Sequence, residues 1–400
     1  MKKDNGRLPF FFAVMFVFNM AANFVHPVTP AIIVELELND YMFGLALAAM
    51  MAFNFLFSPL WGKVAGFLSS KKVILVSGIG YAIGQLFFGI ARTEIQFLLA
   101  RMFAGIFVGG CYVAFLTYTV NCSSEETRGR NLAINATLSS VSGAFGYFVG
   151  GMVGELNIFY PVWLQAATLA STSILIFLGC RNDQQGKMPR WTGRQLLREC
   201  NPFSAIAQCR HFMPPALLYL LLAFGLSNLG YIAFEQCFNF CLRDQFNLSS
   251  GYNGIIKAAL GVIAMIANST LCMWILRRKH VSPWIAGVMG VCTAAMLGVV
   301  FTNDLIPFIV VNVLFFAFYF ISTPLMQNRA AVLGAGPQSN LVMGSVQAVK
   351  SFGSIFGSAL AGFLYEWSPK TPFVFGFAAF ALAAVMTVLM AKAEKQANQL

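Results

Sequence analysis

Apolar residues come in long runs along this chain, each closed by a few polar or charged residues. Twelve runs are long enough for a bilayer-crossing helix of about 20 residues. They cover 9–34, 42–64, 73–91, 96–119, 131–154, 160–179, 214–237, 254–275, 283–302, 305–327, 341–364 and 373–391. Most connections are short. The exception runs from Arg181 to Met213, carries Arg190, Arg194, Arg198 and Arg210, and divides the runs six and six. A short amphipathic helix is expected in it around Arg194–Glu199. The pattern predicts an all-α integral membrane protein of twelve transmembrane helices. An N-terminal bundle spans 1–180, a linker 181–213, and a C-terminal bundle with a short tail 214–400.

Composition agrees. The 400 residues are 58% hydrophobic and 10% charged, with a mean hydropathy of +0.71. Soluble domains carry about 25% charged residues, so soluble enzymes and nucleic-acid-binding domains are excluded. The net charge of +11 lies in loops between apolar runs, as topology requires. With the N-terminus inside, inner segments hold 20 of the 26 Lys and Arg residues. The positive-inside rule then makes both termini and the long linker cytoplasmic. The first run is too long for a signal-peptide core and is retained as a span. The nine cysteines form no CxxC pair and read as small reduced hydrophobes.

The halves look like copies at an offset of about 209–211 residues. Asn19 falls on Asn228, His26 on Glu235, Gly44 on Gly254, Gly146 on Gly357 and Gly151 on Gly362. Parallel six-helix repeats build transporters whose substrate site lies near mid-membrane. Local motifs sharpen this. Gly62-Lys-Val-Ala-Gly66-Phe-Leu-Ser-Ser-Lys71-Lys72 follows the second run, and Arg101-Met-Phe-Ala-Gly105-Ile-Phe-Val-Gly109-Gly110 lies in the fourth. Glu125-Glu126-Thr-Arg128-Gly-Arg130 precedes the fifth, which holds Gly143, Gly146, Gly150 and Gly151.

With these motifs the whole chain resembles the major facilitator superfamily, in particular its drug-efflux antiporters. The first segment is similar to the family's GxxxDxxGRR/K signature, with Gly66 at the aspartate position and Ser69 and Ser70 at the next glycine and first basic positions. The resemblance implies a conformational latch there, carried by Gly62, Lys71 and Lys72 and weakened by those changes. The second is similar to RxxxGxxxG. The loop 125–130 is similar to one typical of the superfamily, and the glycines of the fifth run resemble the GPxxGG antiporter motif with Tyr147 in place of proline. Close helix packing is the plainer role of these glycines.

Ionisable and polar residues inside spans nominate the transport site, because they are costly in lipid. Lys350 lies about ten residues into its run, roughly 15 Å along a helix, too deep for easy snorkelling. Gln347, Lys350, Ser351, Ser354 and Ser358 share one helical face. Lys257 lies near the outer end of the eighth run, where snorkelling competes, and Glu235 is a candidate partner. Cations at these two places are similar to those of organic-anion exchangers of the superfamily. Asn19, Asn23 and His26 form a polar stripe in the first run, which Pro27 and Pro30 are expected to kink. Asn228, Tyr231 and Glu235 form its counterpart. Asn54 and Gln85 are further polar candidates. Arg101 is expected to pair with or tune His26. Since no Asp or Glu lies deep in a span, proton coupling would rest on His26 or Glu235.

The favoured function is secondary active transport of a small organic solute across the plasma membrane by alternating access, as export of drug-like compounds. Rival readings are organic-anion transport through Lys350 and Lys257, and a lipid flippase or non-transporting receptor on the same fold. No GxxxxGK[ST] loop marks an ATP-driven pump. No enzyme activity, cofactor, metal or nucleic-acid partner is expected. The expected partners are the small organic solute, protons and the bilayer, with the chain a monomer. Cysteine labelling checks the topology: on a cysteine-free background a cysteine at 304 should react from outside, and one at 187 should not. The reverse pattern would invert the assignment.

Overall fold

The computed structural model describes residues 7–183, 214–333 and 339–397. Arg194–Glu199, Lys187 and Arg190, Arg198 and Arg210 lie outside the described residues, as do the side chains of Arg128 and Arg130. Each apolar run becomes helix: α1 (Leu8–Ala21), α2 (Thr29–Glu35), α3 (Met42–Phe67), α4 (Ser70–Ile90), α5 (Glu94–Asn121), α6 (Glu125–Leu156) and α7 (Tyr160–Gly179). After the linker come α8 (Pro215–Asp244), α9 (Ser250–Ala267), a π-turn at Asn268–Cys272 that continues into α10 (Met273–Leu276), α11 (Ser282–Phe301), α12 (Leu305–Leu333), α13 (Ser339–Trp367) and α14 (Thr371–Ala397). Among the described residues, nine helices are long and apolar enough to cross a membrane. Helix starts are marked locally: Ser124 and Thr127 form a capping box at α6, and Thr93 caps α5 through the Gln96 amide.

The first run departs from the single kinked helix expected of it. It is two helices, α1 and α2, separated by non-helical Ala22–Val28. Pro27 has no N–H to give a helix and its ring clashes with the preceding turn, while Pro30 suits the first turn of a new helix. Asn19, Asn23 and His26 therefore do not form a continuous helical stripe.

Packing divides the chain into two compact units. One comprises Met1–Met42, Ala49–Pro202 and Asn247–Ala258, the other Phe43–Ala48, Phe203–Phe246 and Ala259–Leu400. In the first, α4 packs on α5 and α7; in the second, α11 packs on α12 and α14. Both cores are aromatic. Phe18 meets Phe115 edge to face at 5.0 Å, and Phe315 meets Phe380 likewise at 5.1 Å.

The repeat extends to details that sequence comparison did not expose. Glu37 and Asn247, 210 residues apart, both have φ of 51° just beyond the helix ends at Glu35 and Asp244. A carboxylate also closes one end of each unit. Asp183 accepts from the Ser70 amide (2.7 Å), the Ser70 hydroxyl (2.5 Å) and Asn121 Nδ2 (3.0 Å). Glu394 accepts from the Ser282 hydroxyl (2.5 Å) and forms an ion pair with Arg329 Nε (2.7 Å). Ser70 and Ser282 begin α4 and α11, and Asn121 and Arg329 stand at or near the ends of α5 and α12. The serine, its partner and the carboxylate recur at offsets of 212, 208 and 211 residues.

The two closures differ in charge. Glu394→Gln leaves the half-buried Arg329 without its counter-charge, whereas among the described residues Asp183→Asn leaves only neutral donors. A hydrogen bond to a charged group is worth about 1.5–3 kcal/mol, and loss of a helix cap typically about 1 kcal/mol. Thermal unfolding of the purified protein should therefore show the larger loss for Glu394→Gln. A larger loss for Asp183→Asn would contradict this account.

Candidate functional site

In the first unit the polar residues gather around the break between α1 and α2. The carbonyls released there need donors from elsewhere. Gln165 on α7 supplies one: its Nε2 donates to the Ala22 carbonyl (3.1 Å) and to the Tyr81 hydroxyl (3.2 Å). Asn23 Nδ2 turns back to the Asn19 carbonyl (2.9 Å), and Asn19 Nδ2 reaches Ser139 on α6 (3.2 Å). The Thr29 hydroxyl donates to the Val25 carbonyl (2.8 Å).

Arg101 is 5% exposed and lies at the far side of this break. Its guanidinium sits 3.8 Å from the centre of the Phe88 ring, and reaches Thr29 Oγ1 (3.5 Å) and Met50 Sδ (3.9 Å). The expected contact with His26 is not formed; Arg101 is aimed at the start of α2 instead. Gln85 is fully buried with its amide facing the Tyr81 hydroxyl.

The glycines of α6 seat the broken segment. A Cβ at Gly146 would collide with the Met20 carbonyl and Asn23, and one at Gly150 with the Phe24 backbone. These two positions must be glycine for α6 to approach so closely. Gly151, on the neighbouring face, packs against Ser250 and Gly254 at the start of α9. Between these glycines stands Tyr147, the residue in place of the motif proline. The His26 imidazole stacks on its ring at 5.5 Å with planes 13° apart. Lys257 Nζ lies 5.6 Å from the centre of the same ring, and the lysine is only 8% exposed. Tyr147 is thus the group that brings the two cation-forming candidates together. Sequence reading noted it only as a missing proline; the available signal was an aromatic residue placed inside a glycine motif.

In the second unit α8 and α13 supply the polar groups. Asn228 Nδ2 donates to the Lys350 carbonyl and to Ser354 Oγ, both at 2.7 Å. Lys350 is half-buried, and among the described residues its ammonium group has neither a hydrogen bond nor an ion pair. Gln347, one turn earlier, is exposed. Ser358 is spent on packing, donating to the Gly44 carbonyl (2.8 Å). Only part of the expected polar face is therefore open to a solute. Tyr231 stacks on Tyr319 with ring centres 3.9 Å apart, flanked by Phe316 and Phe320. Glu235, half-buried one turn on, is an electrostatic neighbour of Tyr319. This aromatic group on α12 was not singled out from sequence, because the run around it is uniformly apolar.

The remaining candidates lie in varied surroundings. Asn54 Oδ1 accepts from Ser58 (2.9 Å) and lies against Gly109. Gly62 is exposed with open space at its Cβ position, so packing does not require a glycine there. Lys71 donates to the Cys180 carbonyl (3.1 Å) and lies over Phe177, while Lys72 is exposed. Asp183 binds Ser70, next to Lys71, at the start of α4. Among the described residues, no His, Cys, Asp and Glu side chains gather as metal ligands.

Comparison with known proteins agrees with this architecture. Multidrug resistance protein 1 of Bacillus subtilis is 21% identical over 388 residues, covering 97% of both chains. Quinolone resistance protein NorA of Staphylococcus aureus is 21% identical over 385 residues, covering 96% of this chain and 95% of that one. Among solved structures, a bacterial homologue of the human lysosomal transporter Spinster superposes with a TM-score of 0.77 at 14% identity, covering 98% of each chain. The human organic anion transporter MFSD10 gives 0.69 at 17% identity, covering 95% of this chain and 98% of that one. Residues 11–337 match the Major Facilitator Superfamily, and with twelve helical spans in two six-span repeats the chain belongs to that family of multi-pass membrane transporters.

Proposed function

We propose that the protein exports amphipathic, drug-like compounds across the plasma membrane by alternating access, with both termini cytoplasmic. The observation that carries this reading is the seating of Gly146 and Gly150 directly on the broken first span. The glycines let α6 bear on that segment with little side chain between, so that the two can move as one element. The names of the two resistance proteins support the substrate class. Aromatic side chains beside polar ones, as at Tyr147 and at Tyr231 with Phe316 and Phe320, suit ligands with an apolar body and a polar group.

His26 and Glu235 are the coupling groups in this reading. They occupy matched repeat positions and are both half-buried. A second reading, organic-anion transport, is favoured by one observation: the ammonium of Lys350 lacks a protein counter-charge among the described residues. A half-buried cation of this kind suits a substrate carboxylate or phosphate.

Flux into proteoliposomes from a mixed drug and metabolite library, with and without a pH gradient, separates the two. In the export reading, gradient-driven uptake of amphipathic compounds is expected. Its absence for every compound, with folded protein, would sink the proposal. The double change His26→Gln with Glu235→Gln should abolish gradient-driven uptake and spare exchange; unchanged driven flux would rule out both groups as the proton route.

Lys350→Gln tests the second reading in a binding assay. If the substrate is anionic, affinity should fall by about 10- to 150-fold, the equivalent of a charged hydrogen bond. Binding of neutral compounds should not change. Wild-type affinity for anions in that variant would remove the organic-anion reading.

A further inference from the structure

Outside the transport path, the segment between α10 and α11 combines features that no transport step uses. Arg277, Arg278, Lys279 and His280 are consecutive and all exposed. No Asp or Glu occurs from Trp274 to Trp284. The carboxylate that touches this segment, Glu394 on Ser282, is already engaged by Arg329. Two tryptophans flank the cations. Trp274 and Trp284 are 43% and 42% exposed, and meet edge to face at 4.9 Å. The Arg278 guanidinium lies 3.9 Å from the centre of the Trp274 ring. Exposed tryptophan mixed with Lys and Arg marks the level of lipid headgroups.

The surfaces leading away from this corner are apolar. On α9 and α10, Val262, Met265, Ile266 and Met273 are about half exposed. Ser269 and Thr270, on the same side, fold their hydroxyls back to the Met265 and Ile266 carbonyls, as lipid exposure demands. On α11, Gly287 and Gly290 continue the exposed side of Trp284, with open space where a Cβ would lie. Among the described residues, α9 and α11 do not pack along their lengths; the tryptophan pair joins α10, which continues from α9, to the start of α11. The result is a shallow apolar track beneath a patch of positive charge that forms no ion pair among the described residues.

We propose that this corner binds an anionic phospholipid, its phosphate at Arg277, Arg278 and Lys279 and one acyl chain along Gly287 and Gly290. Charge complementarity selects an acidic headgroup over a zwitterionic one. The glycine track selects a lipid over a soluble phosphate, because an acyl chain has surface to cover there.

The test uses the full chain reconstituted in phosphatidylcholine vesicles. These contain a small, equal fraction of phosphatidylglycerol or phosphatidylcholine with brominated chains. Bromine quenches nearby tryptophan, and Trp274→Phe identifies the emission that belongs to the site. Brominated phosphatidylglycerol should quench that emission more strongly than brominated phosphatidylcholine. Changing Arg277, Arg278 and Lys279 to Gln should reduce the preference by about fivefold per cation, the equivalent of about 1 kcal/mol each.

Gly287→Leu with Gly290→Leu should abolish the strong quenching by filling the track. Because nothing lies within 4 Å of either Cβ position, this variant should fold normally. Soluble glycerol phosphate should not compete. Equal quenching by the two lipids in the native chain, an unchanged preference in the Gln variant, or full competition by glycerol phosphate would each overturn the proposal.

Discussion

A backbone interruption inside a membrane protein must be satisfied from within, and the gap between α1 and α2 sets this demand for the first unit. Pro27 and Pro30 make the gap, and no water at hydrocarbon depth can repair it. Three side chains do so: Gln165 meets the Ala22 carbonyl, Asn23 the Asn19 carbonyl and Thr29 the Val25 carbonyl. The glycines of α6 then bring a second helix onto the exposed backbone. Polar residues that look like a substrate stripe in the sequence are in part the supports of this broken helix. That is why Asn19 and Asn23 make mainly intramolecular bonds, whereas His26, beyond the end of α1, is left to stack on Tyr147.

The same economy governs charge. Arg329 has Glu394, and the α4 start has Asp183; each carboxylate joins three segments at one end of its unit. These closures preserve the repeat after its chemistry has diverged, one half keeping an ion pair and the other a set of neutral donors. Next to the degraded signature between α3 and α4, Asp183 binds the start of α4 from more than a hundred positions away in the chain.

Cations inside the spans follow a different logic. Arg101 is compensated by an aromatic face and a hydroxyl, and Lys257 by the Tyr147 ring. Lys350 is anchored through its backbone carbonyl by Asn228 while its ammonium group is left to the surroundings. A transporter site needs such a contrast.

The helical, membrane-spanning character of the apolar runs and the family were legible in the sequence. They depend on summed hydrophobicity and on local glycine and proline patterns, which the bilayer reads one segment at a time. Lys350 was equally legible, because a charge deep in an apolar run is conspicuous. The partners were not. Asp183 with Ser70, Glu394 with Ser282 and Arg329, Tyr147 between His26 and Lys257, and Tyr231 on Tyr319 are residues brought together from distant segments. Helical periodicity states which face a residue occupies, but not which helix that face meets. Likewise, the prolines announced a disturbance in the first span, while the donor that meets the Ala22 carbonyl in the break, Gln165, arrives from another helix. Local composition determined what must be buried in lipid; only the packed structure decided which polar groups satisfy one another, because that satisfaction depends on contacts between segments far apart in the chain.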